Sequence, residues 1–166
     1  MLPRRDFLKK TGLATGAIVS GVNLFPQNAS TPQTALVIDA MGEIRDVYTP
    51  ELIKEILASG LNSIAVTLCD PKSYEEGAVK LANDGIAMYD TYLSANPDLF
   101  IKATKLEHID QAKREGKLAV FYLFQNSTQF GRDLSIVDRY YNMGVRSSQI
   151  TYNFQNWAGA GCKERT

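Results

Sequence analysis

Short apolar runs alternate with longer stretches of helical period along most of this chain. Ala35-Leu36-Val37-Ile38-Asp39 is an apolar run closed by an acid, and it predicts a buried strand. Thr49-Pro50-Glu51 then opens a helix, with a hydroxyl to cap it, proline in the first turn and an acid at its positive end. This helix is expected to run to Ser59 and to stop at Gly60. Ser63 to Leu68 predicts a second strand, and Ser73 to Leu93 a long helix weakened at Gly77 and Gly85. Phe100-Ile101-Lys102-Ala103 predicts a short third strand, followed by a helix from Leu106 to Glu115 that Gly116 ends. Leu118 to Phe124, seven apolar residues in a row, is the strongest strand signal in the chain. Asp133 caps a helix from Leu134 to Met143 closed by Gly144, and Ser147 to Tyr152 predicts a fifth strand. Asn153 to Thr166 is polar, rich in glycine, and expected to be a loop.

Strand and helix thus alternate through five strands and four helices. Parallel strands joined by crossover helices follow from such an order, either as a doubly wound sheet or as part of an eight-fold β/α barrel. No Gly-x-Gly-x-x-Gly follows the first strand, which counts against a dinucleotide fold. A complete barrel takes about 250 residues, and these 166 residues suffice for roughly half of one. The fold class expected is therefore α/β, the N-terminal and incomplete part of a (β/α)8 barrel occupying residues 31–166.

Charge narrows the partners. The chain carries 18 basic and 18 acidic residues and a single histidine, with no basic patch and interleaved aromatics of the kind that binds nucleic acid. The first 30 residues have a different character. Arg4 and Arg5 precede Asp6-Phe7-Leu8-Lys9 and a mildly apolar run from Thr11 to Phe25. This resembles a twin-arginine export signal. The run is shorter than the roughly 20 apolar residues a spanning helix needs. The export machinery would be a partner and the periplasm the destination, with an uncleaved anchor as the alternative. Cys69 and Cys162 could pair in such an oxidising compartment or stay free and buried.

In parallel α/β folds the chemistry lies at the carboxyl ends of the strands. Three of these ends are polar: Asp39-Ala40-Met41-Gly42-Glu43, Gln125-Asn126-Ser127 and Thr151-Tyr152-Asn153. The stretch from Asp138 through Tyr140-Tyr141-Asn142-Met143-Gly144-Val145-Arg146 to Thr151-Tyr152-Asn153-Phe154-Gln155-Asn156 resembles the membrane dipeptidase family. There a helix ends in Tyr-x-x-Gly-Val/Met-Arg and the next strand ends in Leu-Thr-His. Val37-Ile38-Asp39 is similar to the family's opening strand, which continues Asp-Gly-His-x-Asp. The resemblance implies a zinc hydrolase on a β/α barrel that cleaves dipeptides and related small amides. It further implies two metals, zinc or another divalent ion, held by a His-x-Asp, a bridging Glu and two later histidines. Such a pair lowers the pKa of bound water and stabilises the oxyanion that forms.

Transferred position by position, the pattern changes. Met41 stands at the first histidine and Glu43 at the aspartate. Gln125 stands at the bridging glutamate, and Tyr152 at the histidine that steadies the substrate. A thioether is a poor zinc ligand beside imidazole or carboxylate, and a neutral amide brings no charge to bridge two dications. The candidate set is Glu43 and Asp39 toward a metal, Gln125 at the catalytic position, and Tyr152 and Asn153 toward a small peptide substrate. Each has a plainer alternative. In these alternatives Asp39 caps the turn after its strand, Glu43 is a solvated loop acid, and Gln125 bonds neighbouring loops. His108 is expected on an exposed helix face, Arg146 beside an acid, and Tyr140, Tyr141 and Trp157 in packing. A hydrolase, a ligand-binding relative without catalysis and an inactive fragment all remain open, as does a homodimer.

Overall fold

The computed structural model describes residues 35–164, so the export signal expected over residues 1–30 lies outside the described residues. The unit from Leu36 onward holds five strands, all parallel. They are β1 (Ile38–Gly42), β2 (Ser63–Thr67), β3 (Phe100–Lys102), β4 (Leu118–Phe124) and β5 (Val145–Ser148). Four helices alternate with them: α1 (Pro50–Ala58), α2 (Glu75–Ala95), α3 (Glu107–Glu115) and α4 (Ser135–Asn142). This is the α/β architecture expected of part of a (β/α)8 barrel.

The spatial order is β1-β2-β4, and β4 shares its other edge between two strands. β3 takes the first half, with Phe100 opposite Leu118 and Lys102 opposite Val120. β5 takes the second half, with Tyr122 opposite Val145 and Phe124 opposite Ser148. β4 is therefore flanked on both sides, which explains its unbroken apolar sequence.

Side-chain alternation along β4 separates two layers. Leu118, Val120, Tyr122 and Phe124 pack into the main core with Ile64 and Val66 of β2, Ile53 of α1, Ile86 of α2 and Tyr140 of α4. Ala119 and Phe121 point the other way, where Ile109 and Ala112 of α3 cover them together with Ala103.

Local chemistry sets the helix ends. Thr49 Oγ1 accepts from Leu52 N at 3.3 Å and Pro50 opens α1. Asp133 Oδ1 accepts from Ser135 N at 2.9 Å at the start of α4, and Gly116 ends α3 in the left-handed conformation at φ 67°. Gly85, expected as a weak point of α2, is instead where that helix meets the sheet: a Cβ there would stand 1.7 Å from Leu68 O.

Two strands differ from expectation. β1 starts three residues after Ala35 and is an exposed edge rather than a buried strand, with Ile38 51% exposed. It pairs with β2 alone and its register breaks between Asp39 and Gly42. β5 ends at Ser148, not Tyr152, because β4 ends opposite it. No helix among the described residues is long and apolar enough to cross a membrane.

Candidate functional site

The carboxyl ends of β1, β2 and β4 enclose a polar cleft of about 560 Å³. β1 brings Met41 and Glu43 to it, β2 brings Thr67, Cys69 and Asp70, and β4 brings Gln125. Met88 and Tyr89 reach it from α2. Two of the side chains picked out by sequence, Glu43 and Gln125, therefore meet in one place.

The two walls are held differently. Glu43 Oε1 accepts from Arg45 Nε at 2.7 Å, and both side chains are more than half exposed. That carboxylate, by its hydrogen bond and then by its charge, holds the Arg45 guanidinium above its ordinary pKa. Opposite them, Gln125 follows the buried β4, and its side-chain amide makes no hydrogen bond within the described residues. The loop behind it is bonded closely. Asn126, 2% exposed, donates from Nδ2 to Pro71 O at 2.9 Å and accepts at Oδ1 from Thr128 Oγ1 at 2.8 Å. Tyr89 Oη donates to Ile44 O at 2.6 Å and so ties α2 to the end of β1. Burial pushes its phenol up to about 12. The Cys69 thiol is pushed up to about 11, by burial first and Asp70 second, so it stays protonated near neutrality and is no thiolate nucleophile.

The other candidates lie outside the cleft. Asp39 Oδ1 accepts from Met41 N at 3.0 Å, a bond within β1 at the point where its register with β2 breaks, rather than in a turn after the strand. Tyr152 and Asn153 sit in irregular chain beyond β5. Their carbonyls accept from Cys162 N at 3.4 Å and Lys163 N at 3.0 Å. The cysteines are free, Cys69 half-buried and Cys162 exposed. His108 is half-buried and its Nδ1 accepts from Thr104 N at 3.1 Å, which fixes the turn before α3. Arg146 meets carbonyls rather than an acid, donating to Thr104 O at 2.7 Å and Tyr141 O at 2.6 Å, and lies over the Tyr141 ring.

Sequence reasoning missed Cys69, Asp70 and Tyr89. The strand-end rule, applied to β2, would have found the first two. Tyr89 lies on a helix and gives no local signal.

The family model described as Membrane dipeptidase (Peptidase family M19) matches residues 18–166. The chain belongs to the membrane dipeptidase family. No curated protein matches it. Among solved structures it is similar to an amidohydrolase from Pseudomonas aeruginosa, with a TM-score of 0.68 and 27% identity over 80% of this chain and 39% of that one. It also shares its fold with the probable dipeptidase PvdM from Pseudomonas aeruginosa, with a TM-score of 0.60 and 20% identity over 75% of this chain and 36% of that one. The chain thus spans well under half the length of either protein.

Membrane dipeptidases are hydrolases and typically metal-dependent. The residues present here do not fit a two-zinc centre. Among the described residues no three His, Cys, Asp or Glu side chains come together as a metal-binding group. Met41 offers a thioether, Gln125 a neutral amide, and Glu43 an oxygen already bonded to Arg45. His108 is committed to a backbone turn.

Proposed function

We propose that the whole protein is a dipeptidase-like hydrolase of dipeptides or related small amides. The observation that carries this reading is a polar cleft at the carboxyl ends of β1, β2 and β4 in a member of the membrane dipeptidase family. Its lining carries both signs of charge, with Arg45 paired to Glu43 and with Asp46 and Asp70 besides. A zwitterionic dipeptide presents an ammonium and a carboxylate at its two ends and matches that arrangement. Gln125 contributes a free amide, which can donate to a substrate carbonyl oxygen and accept from a substrate N–H. It is neutral and cannot act as a general base. Export to the periplasm by the twin-arginine route belongs to the same proposal.

The donor set favours a second reading, a relative that binds a small peptide without cleaving it. One experiment separates the two. The full-length protein is purified, its divalent metal content measured, and Ala-Ala offered with zinc or manganese present. Turnover supports the hydrolase. Tight binding without turnover supports the binding protein. Neither turnover nor binding removes both.

A further inference from the structure

A second hollow, of about 460 Å³, opens beside the cleft and is lined by Tyr74, Thr128, Phe154, Gln155, Asn156 and Trp157. Its aromatic members are not core residues. Phe154 is 49% and Trp157 57% exposed, whereas Phe124 and Tyr140 in the main core are at most 1% exposed.

The three rings are nevertheless held. Phe154 N donates to Tyr74 Oη at 3.2 Å, and the two rings meet edge to face with centroids 6.3 Å apart. Arg132 stacks on the Trp157 indole, 4.0 Å from the centroid. Asn156 pins the loop between them, with Nδ2 2.8 Å from Ile150 O and Oδ1 accepting from Ala158 N at 2.8 Å.

One buried amide separates the hollow from the cleft. Asn126 donates to Pro71 O on the cleft side, while its Oδ1 accepts from Thr128 Oγ1 and from Asn156 Nδ2, at 2.8 Å each, on the hollow side. Gln125 in the cleft and Thr128 in the hollow are three residues apart in the chain. Fixed rings beside a polar cleft bind an apolar group at little ordering cost.

We propose that the hollow is a side-chain subsite of the cleft. It takes an aromatic or large apolar side chain of the peptide or amide whose backbone lies against Gln125. The inference rests on the peptide reading of the cleft and adds a substrate class to it: amides bearing a bulky apolar side chain.

The test compares Ala-Phe with Ala-Ala on the full-length protein, by kcat/KM where they are cleaved and by Kd where they are only bound. Burying the ring favours Ala-Phe about ten-fold or more. Trp157→Ala and, independently, Phe154→Ala bring that ratio toward one, with melting temperatures recorded alongside to show that each variant is folded. Equal handling of the two dipeptides by the wild type overturns the subsite and leaves the peptide reading standing. If neither dipeptide binds, the peptide reading falls, and N-benzylacetamide then decides the subsite. Binding of that probe that Trp157→Ala weakens about ten-fold sustains it, and no binding overturns it.

Discussion

The two walls of the cleft are built to different standards. The β4 wall is flanked on both edges, buried along its length, and continued by a loop whose side chains are bonded to one another. The β1 wall is an exposed edge with one neighbour, a broken register and a solvent-facing ion pair. The cleft thus combines a fixed surface carrying Gln125 with a yielding one carrying Met41 and Glu43. Polar groups on a yielding edge can adjust to a ligand, but they are a poor frame for the narrow geometry that a metal pair demands.

The sharpest way to break this comparison is to truncate an apolar side chain on each wall. Phe124 is fully buried, with its ring 5.1 Å from Tyr140 and 5.8 Å from Phe130. Phe124→Ala is expected to cost about 3–5 kcal/mol, whereas Ile38→Ala on β1 costs under about 0.5 kcal/mol. Urea midpoints of the full-length protein check both, and equal losses would end the distinction between the walls. Asn126→Ala comes next. It leaves Pro71 O and Asn156 Nδ2 short of a partner and is expected to cost about 2 kcal/mol, read as a fall in the urea midpoint. A further effect is one of pH. The Cys69 thiol is raised from 9.0 to about 11 in the folded protein. The fold therefore holds this proton more tightly than the unfolded chain does. The resulting stability is complete below pH 9 and fades as pH climbs through 11. Melting curves across that range should show the decline, and Cys69→Ala should reduce it.

The same contrast decided what the sequence could reveal. β4 occupies Leu118–Phe124, the run expected, because seven apolar residues between Lys117 and Gln125 leave only one buried assignment. α1 was legible in Thr49 and Pro50, since its cap is a local interaction. β1 was misjudged because pairing, not hydrophobicity, sets its limits: Ile38 meets Ser63, and no signal near Ala35 encodes that. β5 was drawn too long for a related reason. Thr151 and Tyr152 have strand-like chemistry, but β4 is spent by the time the chain reaches them. Gln125 and Glu43 were found because strand ends are visible in sequence. The hollow of Tyr74, Phe154 and Trp157 was not found, because an aromatic residue that faces solvent looks the same in sequence as one that packs.

The position of α3 has a consequence for the cleft. It is the helix that covers Ala119 and Phe121, while Ile53, Ile86 and Tyr140 of the other three helices pack on the opposite face of the sheet. Its contacts gather at the start of β4 and around Ala103, far along the strand from Gln125. That end of the sheet is stoppered. Glu43 and Gln125 stand at the other end of the strands, so the helix that covers Ala119 and Phe121 contributes no residue to the lining of the cleft.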